Sequence, residues 1–219
     1  MPNHLKVDLF TDIVCPWCLI GSVRLDKALA ALPAEVSVEV ANHPFYLDPN
    51  TPAEGVVVAD MLREKYGRDP REIWARAERE AKASGIDLDL SRQPPSYPTA
   101  KGHTLVRLAA PKGTQHALAN AITAAYFLEY RLINDDEVLA DIATGFGYAR
   151  EEALLVLRDP DELGTTHDLA MAAAQQGIQG VPFFVFNGRL AMSGCQPEAM
   201  FERALQAALA PAASGPQAS

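Results

Sequence analysis

Cysteine is scarce in this chain: only Cys15, Cys18 and Cys195 occur among 219 residues. Three thiols cannot build the disulfide framework of a small secreted scaffold, and a cysteine zinc site would need ligands of other types. Basic charge is also short. Nineteen Lys and Arg stand against 28 Asp and Glu, and the net charge of -9 has the wrong sign for a surface that tracks phosphates. Nucleic acid is therefore not an expected partner. Long apolar runs are missing too: 48% of the residues are apolar, yet no stretch approaches the roughly 18 to 20 needed to cross a bilayer. No membrane partner is expected. The first residues, Met-Pro-Asn-His-Leu-Lys, show no cationic segment followed by an apolar core and a small-residue cleavage site, which predicts a cytoplasmic protein. There is no internal repeat, and the length suits one domain with a large insertion as well as two domains.

What is present falls into three parts. Leu5, Val7 and Leu9 alternate with Lys6 and Asp8, predicting a strand over Leu5 to Thr11 that runs straight into the first cysteine pair. From Pro16 the apolar spacing turns helical through Leu32, with Pro33 as a stop. Val36, Val38 and Val40 then predict a second strand ending at His43-Pro44. The next stretch, to Gly177, is rich in Ala, Leu, Glu and Arg at helical spacing. It predicts helices over about Val57 to Tyr66, Arg71 to Ser84, Ala100 to Ala109, Thr114 to Leu132, Asp136 to Gly145, Glu151 to Leu157 and Asp161 to Gln176. Beyond Gly177, Val181 to Phe186 and Arg189 to Ser193 flank Asn187-Gly188, the signature of a two-residue hairpin. Pro197 sits near the start of a last helix reaching Leu209, and the small polar tail 211–219 is expected to be disordered.

The chemistry concentrates in Cys15-Pro16-Trp17-Cys18. Thiol-disulfide exchange needs one exposed thiolate to attack and a second thiol close enough to resolve the mixed disulfide. At a helix start, unpaired N–H groups and the positive end of the helix dipole favour the thiolate of Cys15. Cys18, one turn further in, is expected to be less exposed. Pro16 suits the first helical position and stiffens the turn, while Trp17 adds an apolar face without charge. Two other readings of the pair are half of a zinc site, for which the remaining Cys and five His are poorly spaced, and two inert buried thiols. Pro182 is odd on its own terms, because it opens an apolar strand without an N–H to give the sheet.

Phe10-Thr-Asp-Ile-Val-Cys15-Pro-Trp-Cys18-Leu-Ile-Gly21, Gly177-Ile-Gln-Gly180-Val-Pro182-Phe-Phe-Val-Phe and Ser193-Gly-Cys-Gln-Pro197 together resemble a DsbA-family thioredoxin-fold protein of the FrnE-like branch. The resemblance spans nearly the whole chain. It implies an α/β architecture in which a thioredoxin fold, 1–50 and 177–210, is interrupted by an all-helical insertion, 51–176. It further implies Cys15 as nucleophile, Cys18 as resolving cysteine and Pro182 as a cis-proline facing them, with Val181 docking an extended substrate through its backbone. Pro16, Trp17, Gly194, Cys195 and Gln196 would border the substrate.

The chain departs from the family pattern twice. Gly194-Cys195-Gln196 replaces the usual Gly-Ala-Gln, so Cys195 is either a third thiol able to take an intramolecular or glutathione disulfide, or a small packing residue. Around Thr99 to Leu105 the family's Asn-Thr-x-x-Ala-His-Arg-Leu keeps Thr99, His103 and Leu105 but carries Gly102 in place of Ala. His103 either lines the cleft from the insertion or is a hydrogen-bonded packing histidine. Asp12 either relays a proton to or from Cys18 or satisfies backbone donors where the helix begins. His43, Trp74 and Tyr97 are further cleft candidates whose default role is packing. The implied function is dithiol-disulfide oxidoreduction on protein or peptide disulfides or a small molecule. No tightly bound cofactor or metal is expected; the redox group is a Cys15–Cys18 disulfide, with glutathione as a conceivable co-substrate. The alternatives are a glutathione-dependent isomerase or transferase, of the 2-hydroxychromene-2-carboxylate isomerase or kappa-class type, and a binding module with a vestigial pair.

Overall fold

The structure, a computed structural model, describes residues 4–211; from Ala212 onward the tail expected to be disordered lies outside them. Strand β1 (His4–Thr11) is followed by α1 (Pro16–Ala30) and β2 (Ser37–Pro44), and β1 and β2 pair in parallel with Leu5 opposite Val38 and Leu9 opposite Asn42. Strands β3 (Phe183–Phe186) and β4 (Leu190–Ser193) form the hairpin, and β3 lies antiparallel to β1, so the sheet order is β2-β1-β3-β4. Both central residues of the hairpin turn take positive φ, 50° at Asn187 and 64° at Gly188, as a turn that matches strand twist requires. The Asn187 side chain locks it: its amide oxygen accepts the Lys6 N–H at 2.8 Å and its Nδ2 donates to the Ala208 carbonyl.

The period-2 pattern explains the sheet's core. Leu5, Val7 and Leu9 are fully buried on one face, packed with Leu25 and Ala28 of α1, Phe184 and Phe186 of β3, and Phe201, Ala204, Leu205 and Ala208 of the last helix α9 (Glu198–Leu209). Burying each large side chain of that set contributes about 1.5–3 kcal/mol. The opposite face carries Phe10 and Phe183, covered by Phe45, Ala173 and Ile178.

Between β2 and β3 in chain order lie seven helices: α2 (Val58–Tyr66), α3 (Pro70–Ala83), α4 (Ala100–Leu108), α5 (Gln115–Phe127), α6 (Asp136–Thr144), α7 (Arg150–Arg158) and α8 (Pro160–Gln175). They pack on α1 through α3 and α5, and on β2 through α4, α5 and α8. Their core is not separate from the thioredoxin half, because Ile13, Leu19 and Ile20 are buried within it beside Leu105, Leu118, Ile122 and Tyr126. The loop and first turn that carry the cysteines are therefore embedded in the helical layer.

Two boundaries depart most from expectation. α5 stops at Phe127 instead of Leu132, because Tyr130 adopts φ 58° with the Arg92 guanidinium 4.1 Å over its ring, and helix geometry cannot continue through that residue. The strand expected from Val181 begins at Phe183, since Pro182 has no N–H for the ladder. The last helix follows the expectation, with Pro197 at its N-cap, φ -57° and ψ 151°.

Candidate functional site: the thiols and two buried charges

α1 begins where its sequence says it should. Pro16 occupies the first helical position, and Cys15 is the N-cap residue in extended conformation, its thiol making no capping bond. The Cys15 N–H donates to the Asp12 carbonyl at 3.2 Å and the Cys18 N–H to the Cys15 carbonyl at 3.0 Å, which folds the four residues into one tight turn. Both cysteines are free thiols. The expectation of an exposed attacker needs correction: Cys15 is 3% exposed and Cys18 2%. The Cys15 thiol donates to the Val181 carbonyl at 3.7 Å. The Val181–Pro182 peptide bond is cis. Gly21 permits this approach: a Cβ there would come within 3.0 Å of the Pro182 ring.

The two thiols are electrostatically unequal. Burial pushes the Cys18 thiol well above its ordinary value, and the hydrogen bond with Cys15 and the charge Cys15 can carry push it the same way. A bond with the Asp12 backbone works in the opposite direction. Deprotonating Cys18 therefore requires somewhere for its proton to go.

Asp12, whose carbonyl accepts the Cys15 N–H, is 2% exposed. Its carboxylate does satisfy a backbone donor, but one in the segment after β2 rather than in α1: Oδ2 accepts the Leu47 N–H at 2.8 Å. Oδ1 faces His103 Nε2 at 3.4 Å, and His103, on α4, is only 4% exposed. Of the two alternatives, the geometry is that of a hydrogen-bonded packing histidine: His103 is buried against the carboxylate. Gly102 makes the seat, since a Cβ at that position would meet Ile13 Cδ1 at 2.5 Å. Tyr46, which sequence reasoning missed, tilts over both His103 and His167 at 6.0 and 5.8 Å, and its buried hydroxyl has no hydrogen-bond partner among the described residues.

A second buried charge flanks Cys195. Arg24 of α1, 4% exposed, donates to Ser84 Oγ at 2.8 Å, Glu80 Oε2 at 2.6 Å, the Gln196 carbonyl at 2.9 Å and Cys195 Sγ at 3.4 Å. Cys195 is partly buried and its thiol is pushed up to about 11, chiefly by burial, with Arg24 opposing. Gln196 spends its side chain on the Ser193 carbonyl, and the Gly194 N–H binds the Pro182 carbonyl at 2.8 Å. The Cys195 loop and the Pro182 loop are thereby tied together. Arg24, Glu80 and Ser84 were also missed. The signal was available, since Arg24 stands four residues from both Ile20 and Ala28 on the apolar stripe of α1.

The remaining candidates divide. Trp17 is half-buried with the Arg76 guanidinium 5.3 Å over its ring, and it packs on the helical core beside the thiols. His43 Nε2–H donates to Asp8 Oδ1 at 2.8 Å and its ring stacks on Phe10, a sheet-surface role. Tyr97 is buried in the helical core. Trp74 packs on that core and lines an open concavity with Arg63, Arg68 and Arg71.

Known proteins supply the wider frame. The DSBA-like thioredoxin domain family matches residues 6–206. A probable DsbA oxidoreductase from Streptomyces coelicolor is 37% identical, with 94% of this chain and 90% of that one covered and a TM-score of 0.83. The cytosolic disulfide reductase DsbM from Pseudomonas aeruginosa, also solved with GSH, shares the fold at 21% identity, covering 92% of this chain and 99% of its own, with a TM-score of 0.63. A 2-hydroxychromene-2-carboxylate isomerase shares it at 17% identity, 92% and 95% coverage, and a TM-score of 0.70. With a thioredoxin sheet, a cysteine pair opening α1 and a family match over nearly its whole length, the chain belongs to the DSBA-like thioredoxin family.

Proposed function

We propose that the protein is a dithiol-disulfide oxidoreductase in which Cys15 attacks and Cys18 resolves. The observation that carries this is the pair itself: two free thiols one helical turn apart, Cys15 at the α1 N-cap and against the Val181 carbonyl, Cys18 behind it. Cys15 thiolate attacks one sulfur of a substrate disulfide, forming a mixed disulfide and expelling the first substrate thiolate. Cys18 thiolate then attacks the Cys15 sulfur, closing Cys15–Cys18 and releasing the second thiolate. The substrate gains two electrons and the protein loses them; the reverse order of steps oxidises a dithiol. An extended substrate would lie along Val181, where main-chain hydrogen bonds give affinity without demanding particular side chains. Pro16, Trp17, Gly194, Cys195 and Gln196 form the surroundings of that strand, and the FrnE-like branch and a cytoplasmic setting belong to the same proposal.

A Cys18→Ser variant tests it, because the mixed disulfide on Cys15 then persists and mass spectrometry identifies the captured partner. Protein or peptide adducts support the oxidoreductase. Capture of glutathione alone moves the assignment to the glutathione-dependent isomerase or transferase class, whose fold the isomerase neighbour shares. No adduct at Cys15 at all would overturn both.

A further inference from the structure

The helical insertion places one ionisable side chain against the turn that carries the thiols. His103 and Asp12 are separated by 91 positions in sequence yet meet in a site from which water is nearly excluded. An apolar residue here would leave the Asp12 carboxylate with the backbone N–H of Leu47 as its one hydrogen-bond partner among the described residues. A buried carboxylate without hydrogen bonds is strongly disfavoured in its charged form. Asp12 also belongs to the turn that carries the pair: its carbonyl accepts the Cys15 N–H at 3.2 Å and its backbone bonds Cys18, the group whose proton must be removed for the second exchange step.

We propose that His103 is a positioning residue: by donating Nε2–H to Asp12 Oδ1 it holds that carboxylate as the acceptor of the Cys18 proton, so the insertion governs release of the bound substrate. This rests on the dithiol function proposed above and deepens it. The step balances simply. The Cys18 S–H proton passes to Asp12, the Cys18 sulfur pair forms the bond to Cys15, and the Cys15–substrate S–S bond breaks with its electrons leaving on the substrate thiolate. The other titratable groups facing this pair are Cys15 and Cys18 on α1, Tyr46 after β2, Tyr126 on α5 and, through Tyr46, His167 on α8. Tyr46 is pushed up to about 12, by burial and then by the Asp12 charge, and Tyr126 is raised further, so neither competes as a proton acceptor near neutral pH.

The two exchange steps can be timed separately with 5,5′-dithiobis(2-nitrobenzoate) in stopped flow, using the full chain carrying Cys195→Ala so that only the pair reacts. The first thionitrobenzoate release depends on reagent concentration and reports Cys15; the second does not and reports Cys18. In His103→Leu the second phase should be roughly tenfold slower at pH 7 and the acid limb of its pH profile should move to higher pH, while the first phase stays within about twofold. His103→Gln, which keeps an N–H donor, should restore most of the rate. A second phase that is unmoved, that shifts to lower pH, or that glutamine fails to rescue would overturn the positioning role while leaving the dithiol function standing. Absence of a Cys15-dependent first phase would instead overturn the dithiol function.

A measurement on the unsubstituted chain covers the case in which His103→Leu does not fold. With ¹⁵N-labelled histidine, the His103 ring resonances should titrate differently in the dithiol and disulfide states, because the Cys18 proton is present in one and gone in the other. Identical titrations would overturn the proposal.

Discussion

Two buried charges hold the insertion to the thiol half, and they are built on opposite plans. Arg24 beside Cys195 is saturated: a hydroxyl, a carboxylate, a carbonyl and a sulfur all accept from it at 2.6–3.4 Å. Asp12 in the turn before Cys15 is not, with one short bond to Leu47 and one long contact to His103. A fully partnered guanidinium, which stays charged at any working pH, is a strut. A carboxylate with one short bond and one long contact leaves room for a further donor. The molecule thus puts its saturated charge beside the third cysteine and its less partnered one beside the redox pair.

The largest effect should come from breaking the strut. Arg24→Met keeps the length of the side chain but strands Ser84, Glu80 and the Gln196 carbonyl, and should cost about 3 kcal/mol in a denaturant titration. Asp12→Asn retains an acceptor for the Leu47 N–H and should cost only about 1 kcal/mol, its effect falling on exchange rates instead. Equal losses would abolish the contrast.

Thiol labelling sharpens the comparison at the next level. Iodoacetamide should modify Cys15, the proposed nucleophile, first, while Cys195 reacts slowly until the pH nears about 11, where burial has placed its ionisation. Glu80→Gln removes a negative charge that holds Cys195 in the neutral form, and should speed its labelling by about threefold at pH 9.

The smallest effect is on acid stability. The hydrogen bond from Arg24, aided by its charge, holds Glu80 below the ordinary carboxylate value. The unfolded chain, with the higher value of about 4.3, takes up this proton first as pH falls. The stabilisation is therefore in place above that pH and is lost as pH drops through the folded value. Wild-type and Glu80→Gln stabilities should converge on acidification, with a modest gap near neutrality because Glu80 is half-exposed.

Much of this was legible in the residues. Alternation in β1 and β2, the Asn187-Gly188 turn and the switch to helical spacing at Pro16 are local signals, and the structure follows them. The thioredoxin topology followed from the resemblance, since strand order depends on pairings between residues about 180 positions apart. The end of α5 was not legible, because Tyr130 is set by Arg92 from a distant loop. At the site, the motif marked the cysteines, but the bond from Cys15 to the Val181 carbonyl depends on the far end of the chain. His103 and Asp12 were each singled out separately; that they touch is a fact of tertiary packing. Tyr46 and Glu80 carried no signal in isolation.

Gly102 and Ile13 extend the same contact into evolution. The missing Cβ on α4 and the Ile13 methyl occupy what is in effect one shared volume, at the joint between the insertion and the loop before Cys15. Relatives that carry alanine at the position of Gly102 should carry a shorter side chain at that of Ile13. In this chain, Gly102→Ala should be tolerated better alongside Ile13→Val than alone. That single exchange of volume would report, across sequences, how closely each family member presses its helical layer against the loop before α1.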